Sequence, residues 1–394
     1  MRDILFLAHR VPFPPDRGDK IRAHHVLKHL AKHARVHLVA MADVEADLHH
    51  DAVLAEHCAS HAVIWRSMGR AQAAATALLR RQPISIAAFA HPEYARAVQR
   101  TLAAHPIDTI FVYSGQMAQY VPAAFAGRIV MDFCDVDSAK FADYAEGASL
   151  PMAIMMRRED RLLARFEAQV AARADASLFV SEAEAALFRS RTGAARVQVI
   201  ENGIDTGFFD PAAGFAGAGE AGPLIVFTGQ MDYRPNVDAV IWFAREVMPL
   251  VRRSHPTARF AIVGRAPVPE VSRLASESVL VTGEVADVRG WLAAAAVVVA
   301  PLKIARGIQN KVLEAMAMAR PVLASAAAAE GIDHAGTITV ADTPAGYVSA
   351  IDALIAGPGD LGPAARRQVE RRYGWPARLG PLDALLGLET RAAA

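Results

Sequence analysis

The stretch from Ala300 to Ser325, APLKIARGIQNKVLEAMAMARPVLAS, concentrates groups able to hold a phosphorylated ligand. An apolar strand ends near Ala300, a charged loop with Lys303, Arg306 and Gly307 follows, and an apolar helix opens near Gln309. The unpaired backbone N–H groups at such a helix start, helped by the helix dipole, can hold phosphate. A glycine lets the backbone come close to it. Arg306, Asn310 and Glu314 are spaced i, i+4 and i+8, and share one face if the helix reaches back to Arg306. Glu314 stands at the edge of an apolar run, where its carboxylate could accept hydrogen bonds from both hydroxyls of a ribose. The same spacing fits an amphipathic helix with Lys311 and Glu314 as a local ion pair, and spacing alone leaves both readings open.

Other groups are more weakly patterned. In the loop Pro12–Lys20, Gly18 permits a tight turn, Asp19 or a neighbour can cap the following helix, and Asp16, Arg17, Asp19 and Lys20 can position hydroxyls. Asp135 and Asp137 follow an apolar run, as carboxylates that hold a hard cation do. They are read instead as a ligand-positioning or capping element, with Ser138 opening the next segment and no metal bound. The 14 histidines are scattered without an HExxH pair and are expected mostly on the surface, His9 excepted because it follows the first strand. Cys58 and Cys134 can form neither a disulfide framework nor a four-ligand zinc site. Cys134 reads as a buried thiol.

The elements that position these groups alternate in type. Apolar runs at Ile4–Ala8, Val36–Ala40, His61–Trp65, Thr109–Tyr113, Ile129–Phe133 and Ala176–Val180 read as strands, with helices at Lys20–Lys32 and Met152–Ala174. Strands apolar throughout, with helices between them, predict a parallel sheet covered on both faces. The pattern restarts after a short strand at Val197–Ile200 and a small-residue linker at 211–223. Strands follow at Leu224–Thr228, Phe260–Val263, Val279–Thr282, Ala296–Ala300 and Val322–Ala324, with helices opening near Val237, Val285, Gln309 and Thr343. Two Rossmann-like α/β domains are predicted, at 1–205 and 206–375, with a terminal helix at 376–394 returning to the first. Ligands gather beyond the carboxyl ends of parallel strands. Ser114–Met117, Gly229–Arg234, Gly264–Arg265 and the 305–314 loop should therefore face one crevice with the Asp16–Lys20 loop.

With 394 residues, 53% hydrophobic and 21% charged, the chain is long enough for two cores. A net charge of +1 gives no support to nucleic-acid binding. The opening apolar run is too short for a signal peptide or a membrane span, which points to the cytoplasm.

The segment GIQNKVLEAMA resembles the donor-binding motif of retaining glycosyltransferase family 4, which has the GT-B fold, and within it a bacterial subgroup associated with exopolysaccharide and exosortase systems. Phe227–Asn236, Asn202–Asp205 and Met131–Ser138 also match, and the resemblance runs from about Asp3 to Leu382. It implies transfer of a sugar, with retention, from a UDP- or GDP-linked donor to a saccharide or polyprenyl-linked acceptor, without a cofactor or a metal. By resemblance, Glu314 holds the donor ribose and the backbone at Gly307 and Ile308 contacts the donor. Gly229, Gln230, Gly264, Arg265, Lys303 and Lys311 complete the donor side. Asp16, Arg17, Gly18, Asp19, Ser114, Asp135 and Asp137 belong to the acceptor side.

The chain departs from the family pattern at three positions. Arg306 replaces the first of two glutamates, and Gln230 and Pro235 replace the arginine and lysine that neutralise the diphosphate. Arg234, then Arg306, are the first choices to take over that work, so the catalytic set is Arg234, Arg306 and Glu314. A lipid-linked acceptor would bring the inner membrane face against Arg157, Arg158 and Arg161, whose alternation with Glu159 and Asp160 equally fits a solvated helix. A sugar-nucleotide epimerase on the same fold and a non-catalytic scaffold of polysaccharide assembly are the competing readings.

Overall fold

Strands apolar at every position must be covered on both faces, and the computed structural model shows two such sheets. It describes residues 2–146, 148–215, 222–305 and 308–388. The chain divides into two units, Met1–Asn202 with Arg378–Ala394, and Gly203–Ala377.

The first unit holds β1 (Arg2–Ala8), β2 (Ala34–Ala42), β3 (Ser60–Trp65), β4 (Ile107–Tyr113), β5 (Arg128–Cys134), β6 (Ala176–Phe179) and β7 (Val197–Val199). They form one parallel sheet in the order β3-β2-β1-β4-β5-β6-β7. Leu5, Leu7, Ile110, Val112 and Met131 are fully buried in it. The strand order reverses between β1 and β4, which opens a space beyond their carboxyl ends. The first helix, Gly18–Ala31, and the residues after β4 border that space.

The second unit repeats the plan with β8 (Leu224–Thr228), β9 (Arg259–Val263), β10 (Val279–Gly283), β11 (Val297–Ala300), β12 (Val322–Ala324) and β13 (Thr339–Val340). The order is β10-β9-β8-β11-β12-β13, all parallel, with the reversal between β8 and β11. Where the chain passes into and out of this unit, its two ends are tied together. Ile204 N–H donates to Tyr373 O at 2.7 Å, and Trp375 N–H donates to Ile204 O at 3.3 Å. Gly203 is required there, since a Cβ would lie 2.6 Å from the Trp375 Cα.

Several local expectations are corrected. The helix bearing Glu314 spans Asn310–Ala317 and does not extend back to Arg306. Arg306 and Gly307 themselves lie outside the described residues. The helix expected near Val285 opens at Arg289, where Asp287 accepts the Arg289 N–H at 2.8 Å. Asp19 caps nothing, because Gly18–Ala31 begins without a side-chain cap and Asp19 turns to Arg10 and His9. Histidines are not confined to the surface: His24, His29 and His37 are buried. His37 meets its polar needs inside the sheet, pairing with Asp3 Oδ1 at 2.9 Å and Ser60 Oγ at 2.7 Å.

Candidate functional site

In the second unit, the ends of β8, β9 and β10 and the start of the Asn310–Ala317 helix surround a hollow of about 520 Å³. Its base is glycine backbone. A Cβ at Gly264, which has φ +156°, would lie 1.6 Å from Gly229 O, so neither loop could close on the other if Gly264 carried a side chain. Gly229 N–H donates to Val263 O at 3.0 Å and Gly264 N–H to Gly283 O at 3.1 Å, fixing both loops to the sheet.

Over this base stands Lys311. Its Nζ donates to Asn236 Oδ1 at 2.5 Å and lies 4.2 Å from the centre of the Phe227 ring. Asn236 is buried and donates onward to Gln230 O at 2.9 Å, so the amide that holds the amine is itself held. Burial pushes the Lys311 amine down to about 8, against the opposing pull of Glu314. Burial likewise pushes the Glu314 carboxyl above its ordinary range, with Lys311 opposing. The two are electrostatic partners, while the hydrogen bond of the amine goes to Asn236. Arg265 Nη2 reaches Gln230 Oε1 at 3.2 Å along the rim.

Gly229, Gln230, Gly264, Arg265, Ile308, Lys311 and Glu314 line this one hollow. Arg234 and Lys303 do not. They line a different hollow with Asp238, Trp242 and Arg245, and Arg234 is exposed and paired with Asp238 at 2.9 Å, one helical turn on. Arg234 opens the helix that Asn236 faces inward from, which turns the arginine outward. Tyr233, Asn236 and Glu284 also line the hollow of Lys311 and were not singled out from the sequence. Tyr233 and Asn236 both lay within the matched segment Phe227–Asn236.

The first unit has its own hollow, about 450 Å³, beyond β1, β4 and β5. Gly18, Asp19, Ser114, Asp135 and Asp137 line it, and Asp16 and Arg17 stand outside its lining. Asp19 Oδ2 accepts from Arg10 Nη1 at 2.5 Å and lies 3.2 Å from His9 Nε2. Burial opposes its charge, yet His9 and Arg10 hold Asp19 below the usual carboxylate range. Lys140 Nζ donates to Asp135 and Asp137 at 3.0 Å each, so a lysine of the chain bridges this pair and offsets one of its two charges. Ser114 sits at φ +77°, a conformation a serine rarely takes, and it hydrogen-bonds Gln116, which reaches Asp137 at 3.1 Å.

Arg22 is the residue that sequence reasoning overlooked most. Its Nε donates to Asp132 Oδ2 at 2.8 Å and its Nη1 to Ile200 O at 2.8 Å, while Nη2 is buried without a partner and faces the hollow. Its spacing from Gly18 and Asp19, four and three residues on one helix, was the available signal.

Two parallel-sheet units, each with a polar hollow beyond its strand ends, are the GT-B architecture. Residues 17–203 match the family described as glycosyl transferase 4-like domain, and residues 222–357 match glycosyl transferases group 1. Each unit thus resembles a glycosyltransferase domain, and the two matches with the fold support glycosyl transfer from a nucleotide-sugar donor. No curated protein matches it. Similar solved structures include sucrose-phosphate synthase from Thermosynechococcus elongatus, at 18% identity and TM-score 0.58, covering 98% of both chains. Anabaena Alr3699/HepE in complex with UDP shares 17% identity at TM-score 0.58, covering 98% of this chain and 100% of that one. WaaG, a glycosyltransferase involved in lipopolysaccharide biosynthesis, shares 17% at TM-score 0.55, with the same coverage. At such identities the likeness concerns the fold. No helix among the described residues is long and apolar enough to cross a membrane.

Proposed function

We propose that the protein transfers a sugar, with retention at the anomeric carbon, from a UDP- or GDP-linked donor to a saccharide or polyprenyl-linked acceptor in bacterial polysaccharide synthesis. The observation that carries this reading is the lysine poised over a glycine base, with Glu314 one turn further along the same helix. In it the donor diphosphate lies against Gly229 and Gly264 and the helix start near Ile308, and the ribose hydroxyls reach Glu314. Lys311 and Arg265, in place of Arg234, neutralise the diphosphate as the sugar–phosphate bond breaks and charge grows on the leaving oxygens. The binding of UDP by Anabaena HepE supports the choice of a nucleoside diphosphate. The acceptor occupies the hollow of the first unit, where Asp19, Asp135 and Asp137 offer acceptors for its hydroxyls. The departing phosphate takes the proton of the attacking hydroxyl, since no protein base in the donor hollow is required to do so.

Contact with a membrane face is supported by the long helix Leu150–Arg173. Leu150, Ile154, Arg157 and Arg161 lie along one exposed stripe of it, apolar at the start and basic beyond. Arg158 belongs elsewhere, donating to Ala77 O at 3.1 Å and Gln82 O at 3.3 Å.

Calorimetric titration with UDP, GDP, ADP and NAD, with and without magnesium, tests the assignment. Tight, metal-independent binding of one nucleoside diphosphate, weakened by Glu314→Ala, supports it. NAD binding alone, or none, overturns it. Donor binding with no sugar released to any acceptor or to water points to the non-catalytic scaffold. A free epimerised sugar nucleotide points to the epimerase.

A further inference from the structure

Among the described residues, two groups of metal-type side chains stand apart from the hollows: Asp3, His37 and His105, and His29, His33 and Asp383. In each, the potential ligand atoms lie within 4.8 Å of one another. The first group already holds its own cation. Asp3 Oδ2 accepts from Arg35 Nη2 at 2.6 Å, and both nitrogens of His37 are engaged, at Asp3 and at Ser60. A metal dication placed there would face a guanidinium at contact distance.

The second group differs on each point. His29 lies in the last turn of the first helix and His33 two residues beyond its end, where His33 N–H donates to Leu30 O at 3.0 Å and the chain folds the second imidazole back beside the first. Their ring centres are 5.3 Å apart. Asp383 comes from the terminal helix, Pro381–Leu386, and its Oδ1 is 2.9 Å from His29 Nε2. No arginine or lysine is paired with Asp383 among the described residues. His33 is exposed, which leaves one side of the group open to water.

We propose that His29, His33 and Asp383 bind a divalent transition-metal ion of the zinc type. Two imidazoles and a carboxylate supply three ligands of a tetrahedral ion, and water supplies the fourth. Nitrogen ligands favour zinc, cobalt or nickel over magnesium and calcium, which take oxygen ligands. Lys28 in the last turn of the helix and Lys32 at its C-cap oppose the added charge, which keeps the affinity modest. The ion joins side chains 354 residues apart, so the site exists only in the folded chain and occupancy stabilises it. The far end of the terminal helix is already pinned: Arg2 Nη1 donates to Leu386 O at 2.8 Å and Arg128 to Leu385 O. The metal fastens its near end to the helix that carries Gly18, Asp19 and Arg22 into the first unit's hollow.

The test uses the full chain without a histidine tag, stripped with EDTA and moved into chelator-free buffer. Zinc titration should show about one ion per chain at roughly micromolar affinity, and zinc should raise Tm where magnesium does not. Cobalt should give the visible absorption of a tetrahedral ion. His33→Ala, at an exposed position that folding tolerates, and Asp383→Asn should each weaken zinc binding at least about tenfold, and His105→Ala should leave it unchanged. The absence of both a zinc-dependent Tm shift and a cobalt band would overturn the proposal. So would zinc binding that survives His33→Ala, or one lost in His105→Ala and kept in His33→Ala.

Discussion

Lys311 Nζ lies 2.5 Å from Asn236 Oδ1, and Asn236 Nδ2 lies 2.9 Å from Gln230 O, so a single amide joins the only lysine in the described lining of the second unit's hollow to the loop after β8. Gln230 and Pro235 stand at the positions where the sequence resemblance implied an arginine and a lysine. In the proposed reading, the charge lost from that loop returns from the facing helix, and Gln230 supplies the backbone that orients it.

Removing that charge should weaken the donor. Lys311→Met is expected to cost about 1.5–3 kcal/mol of nucleoside diphosphate binding, the range for a hydrogen bond to a charged group. Lys311→Arg should retain part of it. Calorimetry with UDP and GDP checks this, and an unchanged Kd in Lys311→Met would remove the lysine from the donor site.

Arg234→Ala provides the contrast. The side chain is exposed, pairs with Asp238 and lines another hollow. Its replacement should leave nucleotide affinity within about twofold, because an exposed ion pair contributes little. A large loss of affinity would restore the arginine to the site.

Donor binding should depend on alkaline pH. With the amine near 8, Lys311 loses its proton as pH rises through that value, and nucleoside diphosphate affinity should fall with it. The effect on folding has the opposite sign. Between about 8 and the unfolded value of 10.5 the unfolded chain binds more protons than the folded one, so this residue makes stability rise with pH across that window. Urea unfolding of the wild type and Lys311→Met at pH 8 and 10 separates the two effects.

Glu167 should give a second pH signature, at lower pH and unrelated to the donor. It is buried in the long helix and accepts from Ser138 N at 3.1 Å and Ser138 Oγ at 2.6 Å, and burial pushes its carboxyl up to about 7 from 4.5. A raised folded value means the folded state holds the extra proton. Its contribution is present in full below pH 4.5 and is lost as pH rises toward 7. Glu167→Gln should therefore flatten the Tm profile between pH 4.5 and about 7, the span of the shift. An unchanged profile would place the titration elsewhere.

Gly264→Ala should destabilise the second unit by about 2–4 kcal/mol, since the new Cβ cannot share space with Gly229 O, 1.6 Å away. Denaturant unfolding measures it.

Much of this architecture was legible because the strands of a doubly covered sheet have no polar face to hide. Ile4–Ala8 and Leu224–Thr228 are buried at every position, as their composition required. Glu314 was legible as a carboxylate set against an Ala-Met-Ala run. What remained hidden were partnerships across sequence. Nothing near Arg22 announces Asp132, 110 residues away, and nothing near Lys311 announces Asn236, 75 residues away. Arg234 misled for a related reason: proximity along the chain to the right loop does not fix the direction of a side chain on a helix, and Lys303, in the loop after β11, lines the same other hollow as Arg234. His37 misled because a histidine can be buried wherever both its nitrogens find partners.

The hydrogen bonds between Ile204 and the Tyr373–Trp375 segment give the second unit a beginning and an end at one spot. In topological language it is a guest module spliced into a host, and the host resumes at Arg378 as though uninterrupted. Such a guest can be lifted out as 203–377, or swapped for another with the same closely spaced termini, without asking either piece to span a gap.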